Sequence, residues 1–169
     1  MALFTGSIDD LATLYTNQLR FMLSTEEQII EALPKMITAA SDQQLKDALQ
    51  SHLQETELHA DRLEDILSQI SSDVDSKKCA VTAALISAGD TIVKAANDDG
   101  VRDAGIIASA QKIEHFEIAS YGTLRNWAYI LGHSDQAALL DKTLQEEGHA
   151  DKLLTTIAER ANPTATRAA

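Results

Sequence analysis

Residues 107–124, IASAQKIEHFEIASYGTL, carry the pattern that decides the fold. Ile107, Ala110, Glu114, Glu117, Tyr121 and Leu124 recur at steps of three and four, so they share one stripe of an α-helix. The stripe is apolar at its ends and acidic in the middle. A solvated helix sets its glutamates opposite its leucines, whereas here two carboxylates stand in line with them. Three other segments repeat the arrangement. Glu26 falls four residues after Met22 and three before Ile29, in a series with Leu11, Tyr15, Leu33 and Met36. Glu55 and His59 are four apart, with His52 one turn before and Leu63 one turn after. The last stripe reads Leu139, Thr143, Glu146, His149, Leu153 and Ile157.

Working outward, the chain of 169 residues has few breakers, with seven glycines and two prolines, and only 4% aromatics. Helix formers dominate and strand formers are thin, so an all-α protein is expected. Ser7, with Asp9 and Asp10 behind it, is placed to cap a first helix that continues to about residue 40, with a kink or break at Pro34. Ser41-Asp42 opens a second helix running to about Ile70. The polar segment SSDVDSKK reads as a loop. A shorter helix follows over about 79–97, closed by Asp98-Asp99-Gly100. A third long helix covers about 101–131, Gly132-His133-Ser134 supplies a C-cap and a new N-cap, and a fourth covers about 134–161. The expected organisation is one domain over residues 1–161 and a flexible tail over 162–169. Four long helices with a short helix in the crossover between the second and third match the ferritin-like bundle.

The formal charge is −12, and the 14 lysines and arginines form no run. Phosphate backbones and anionic membrane surfaces are therefore not expected partners. Cys79 is the only cysteine, which excludes an intrachain disulfide and suits a reducing cytoplasm. The opening MALFTGSIDD has no basic segment before an apolar one, so no signal peptide is expected, and no apolar run approaches a membrane span.

The inward carboxylates are the functional clue. Ionised groups in an apolar core cost many kcal/mol unless paired, and Arg62, Lys112 and Arg125 lie off or at the edge of the stripes. A pair of metal ions is the natural neutraliser. Carboxylates with a few imidazoles suit iron, with manganese or zinc as alternatives. The halves echo each other, since ETELHADRL over 55–63 and QEEGHADKL over 145–153 share His-Ala-Asp, a basic residue and Leu. Helix phase leaves alternatives: Glu27 for Glu26, Glu147 for Glu146 at the loss of the histidine spacing, and His52 for His59. His52 is expected in a supporting hydrogen-bonding role. Tyr15, Tyr121 and Trp127 read as packing residues, His115 as exposed and His133 as part of a loop.

The run EHFEIASYGTL, with ALPK and SHLQET upstream and LLDKTLQEE downstream, resembles the YciE/YciF-type ferritin-like stress proteins from about Leu11 to Ile157. That resemblance implies a four-helix domain and a homodimer. The ligand layout is similar to that of rubrerythrin, another ferritin-like family. Its pattern implies Glu26, Glu55 with His59, Glu114 with Glu117, and Glu146 with His149 as metal ligands. The Glu55–His59 spacing departs from the family's Glu-x-x-His by one residue, and the cysteine pairs of a rubredoxin-like iron site are absent. Three functions then compete. The first is a di-iron oxidoreductase acting on peroxide or O₂. The second is a non-catalytic stress-response module with structural metals. The third is iron storage, disfavoured because the short tail offers no fifth helix of the cage type.

Overall fold

The computed structural model describes residues 7–72 and 74–166, which form five helices and no strands. They are α1 (Leu11–Ala39), α2 (Gln43–Ile70), α3 (Ala80–Ala95), α4 (Asp99–Ile130) and α5 (Ser134–Ala165). The opening residues 1–6 and the last three of the expected tail lie outside the described residues.

Three of the helices start on an aspartate. Asp10 accepts from the Thr13 amide at 2.6 Å, Asp42 from the Leu45 amide at 3.0 Å and Asp98 from the Val101 amide at 2.9 Å. A carboxylate there satisfies an orphan donor and meets the positive end of the helix. The expected Ser7 cap is therefore corrected to Asp10, while the Ser7 hydroxyl bonds Asp9 instead. The break expected at Pro34 does not occur, since α1 is helical throughout and the proline ring faces solvent on its outer side. At the other end of the chain, α5 passes Asn162 and Pro163 and ends at Ala165.

α1 pairs with α2 and α4 with α5, each as an antiparallel hairpin, and α3 crosses over α1 and α4. Thr25 and Thr82 bring their hydroxyls to 2.9 Å and pin α3 to α1. The interior has three layers. One apolar cluster gathers Tyr15, Leu19, Met22, Leu63, Ile66, Tyr121, Leu124 and Leu140. A second gathers Ile29, Leu33, Leu45, Leu49, Ile106, Ile107, Leu154 and Ile157. In sequence, each long helix passes from one cluster to the other through a buried polar stretch: Glu26 on α1, His52 to His59 on α2, Glu114 and Glu117 on α4, Thr143 and Glu147 on α5. Regular helical spacing stacks those stretches at one height, where water is excluded from both sides.

Candidate metal centre

Two groups of buried ligand atoms form in the polar layer. His52, Glu114, Glu117 and Glu147 make the first; Glu26, His59 and Glu147 make the second. Within each group the donor atoms lie within 4.8 Å of one another, and Glu147 belongs to both. Glu26, His59, Glu117 and Glu147 are completely shielded from solvent.

The sequence-predicted ligands divide. Glu26, His59, Glu114 and Glu117 come together in these groups. Glu55, Glu146 and His149 do not: Glu55 is half-buried, Glu146 sits at the edge and His149 is exposed. Their places are taken by Glu147 and His52. On α5 the buried positions are Gln136, Ala137, Leu140, Thr143, Glu147, Ala150, Leu154, Ile157 and Ala161. From Leu140 onward that series alternates steps of three and four, which places Glu147 inside and turns Glu146 and His149 away. The HisAlaAsp echo between the halves is thus not an echo of position. On α2, Leu45, Leu49, His52, Thr56, His59, Leu63 and Ile66 alternate four and three in the same way. Both residues were legible from unbroken periodicity.

Glu146 takes a different part. Arg62 clamps its carboxylate and also donates to Thr143 at 3.0 Å. Glu146 lies 3.0 Å from His59 Nε2. With Nε2–H directed at that carboxylate, His59 turns Nδ1 inward, 2.8 Å from Glu147 and 3.9 Å from Glu26. A carboxylate behind the imidazole sets the tautomer of a ligating histidine in this way. Beside His59, Tyr121 donates its hydroxyl to Glu26.

The electrostatics of the layer are out of balance. Burial and then the Glu147 carboxylate push Glu26 up to about 8. The same two causes drive Glu114 and Glu117 well above the ordinary carboxylate range. Burial works against the charge on Glu147 too, but the His59 imidazole outweighs it and holds Glu147 below its ordinary value. His59 is conversely raised, with Glu147 overcoming the cost of burial, while burial lowers His52. Several atoms have no hydrogen bond of good geometry: Glu26 Oε2, Glu114 Oε2, both carboxylate oxygens of Glu117 and of Glu147, and Nδ1 of His52 and of His59, the last standing in ion-pair contact with Glu147 at 2.8 Å. Buried polar atoms are otherwise almost always satisfied. Orphaned carboxylate oxygens gathered with Nδ1 of His59 and Nε2 of His52 are the donor set of a first-row metal site, so the residues fit the expected ions.

Comparison with known proteins places the chain in a family. The family described as "Domain of unknown function (DUF892)" matches residues 10–167. The chain is 39% identical to Protein YciF of Escherichia coli K12 over 136 residues, 80% of this chain and 82% of that protein. It belongs to the DUF892, or YciF, family. The structure of the Escherichia coli stress protein YciF superposes with a TM-score of 0.87 at 35% identity, covering 91% of this chain and 98% of that one. YcfI from Rhodopseudomonas palustris gives 0.87 at 38%, covering 90% and 98%. A Xanthomonas campestris protein gives 0.71 at 19%, covering 93% and 99%, a likeness of fold alone. The ferritin-like bundle is thus a property this chain shares with its DUF892 relatives. No helix among the described residues is long and apolar enough to cross a membrane.

Proposed function

We propose that this YciF-family protein holds two metal ions, iron first, in the polar layer, with Glu147 shared between them. The carrying observation is the set of buried carboxylate oxygens without partners, divided into two groups that meet at one residue. Two divalent ions would balance the four buried glutamates, and Arg62 is engaged with Glu146 instead. Glu26, His59 and Glu147 would hold one ion; His52, Glu114, Glu117 and Glu147 the other.

Iron at these positions would supply electron exchange with a small oxidant. The chain's own residues provide the setting. Glu146 orients His59, Tyr121 holds Glu26 by its hydroxyl, and the apolar clusters exclude water from both ends of the layer. A pocket of about 40 Å³ walled by Ile29, Leu33, Met36, Leu85 and Ile106 reaches His52 and Glu114. Its apolar lining favours a small uncharged molecule, which supports O₂ or peroxide as the reactant.

Elemental analysis of protein purified from its own host should find two ions per chain. The iron-loaded protein should consume O₂ or peroxide when a reductant is supplied. A full metal complement with no consumption of either oxidant favours the second reading, structural metals in a stress-associated module. The complete enclosure of Glu26 and His59 supports that alternative. A homodimer belongs to the same proposal, and sedimentation reads it directly.

A further inference from the structure

Glu55 and His149 stand outside both ligand groups, yet they line one pocket together. It measures about 80 Å³, lies between α2 and α5, and reaches inward to His52 and Glu114. His52 spans the two environments. Its Nε2 is 3.3 Å from Glu114, a member of the inner group, and its Nδ1 is 4.0 Å from Glu55. That Nδ1 has no hydrogen-bond partner, and the residue is only 7% exposed. Glu55 is 38% exposed and His149 lies at the surface, so a solvated ion can meet them before it meets anything buried.

A hydrated divalent cation cannot pass into a closed apolar bundle with its water shell intact, because desolvation without replacement ligands costs many kcal/mol. It needs donors that replace water in steps. The net charge of −12 draws cations toward the surface generally but selects no place of entrance. We propose that Glu55, His149 and Nδ1 of His52 form a capture station where a divalent cation exchanges its first waters before His52 and Glu114 pass it inward. This rests on the dinuclear reading of the buried groups and adds a route to it. It also gives a role to two residues the sequence marks as ligands and the fold leaves at the rim.

The test is stopped-flow uptake of Co²⁺ by the metal-free full-length chain, followed by its visible absorbance. Glu55→Gln and His149→Ala should each slow uptake about tenfold, the lower end of electrostatic and site-directed capture, while the final count stays at the wild-type two ions per chain. Glu64→Gln, which removes an exposed charge from the same helix, should leave the rate unchanged. Wild-type rates in the Glu55→Gln/His149→Ala double variant would overturn the station. So would equal slowing in Glu64→Gln, since net charge would then explain the effect, or loss of a bound ion in Glu55→Gln, which would make Glu55 a permanent ligand. Failure of the wild-type chain to bind Co²⁺ at all would remove the dinuclear reading and the station with it, whereas two ions bound at unchanged rates removes only the station.

Discussion

Neighbouring glutamates on α5 stand in different surroundings. Glu147 presents two unpartnered oxygens to both ligand groups, whereas Glu146 is tied to Arg62 and to the back of His59. Removing each should therefore give different results. Glu147→Ala should take the metal content below one ion per chain by elemental analysis. Glu146→Ala should keep both ions but weaken their binding about 10- to 100-fold, the usual effect of losing a carboxylate behind a ligating imidazole. Equal stoichiometry in the two variants would show that the ions do not share Glu147. The sequence shows both glutamates and cannot rank them by type. Only the phase of the apolar series ranks them, and one turn of misassigned spacing is enough to invert the choice.

At the scale of elements, the helices are held in register by a few polar joints. The buried Asp103 of α4 accepts from the Ser41 amide at 2.8 Å, the Ser41 hydroxyl at 2.5 Å and the Asp42 amide at 2.9 Å. It thereby fastens the α1–α2 turn to the other hairpin and sets the height at which Glu26 meets Glu114 and Glu117. Asp103→Ala leaves those donors unpaired and should cost about 1–3 kcal/mol in denaturant unfolding. Nothing in the local sequence marks Asp103, because its partners are some sixty residues distant. The turn between α4 and α5 is the opposite case. Gly132 has φ +82°, and His133 N–H donates to the Ala128 carbonyl at 2.8 Å, a C-cap that a left-handed residue permits. Gly132→Ala should cost about 1 kcal/mol, measured the same way. That joint is written in the sequence as Gly132-His133-Ser134.

For the molecule as a whole, the buried carboxylates of the polar layer make stability depend on pH. Glu26 rises from 4.5 to about 8 on folding, and Glu114 and Glu117 rise with it. Groups raised in the folded state favour the fold in their protonated forms. The contribution of Glu26 is complete below 4.5 and is lost as pH rises through about 8, and those of Glu114 and Glu117 fade with rising pH in the same direction. Metal-free protein should thus melt at progressively lower temperature from about pH 5 to pH 8. Metal ions bound as proposed would take the place of those protons, so the loaded protein should lose this decline, and a chelator should lower its melting temperature most at the alkaline end. A metal-free melting temperature that rises across this interval would contradict the buried, uncompensated carboxylates.

The amino-acid sequence determined the helices, their approximate ends and the presence of acidic residues on their inner faces, because each follows from spacing within a single turn or two. It also carried enough family likeness to place the fold. The tertiary structure decided which histidine is backed by a carboxylate and that Glu55 and His149 remain at the rim of a pocket. Those outcomes depend on the rotation of each helix against its neighbours. The spacing along one helix gives its inward face but not its partners, which are set by packing between residues more than eighty positions apart, such as His59 against Glu146 and Glu147.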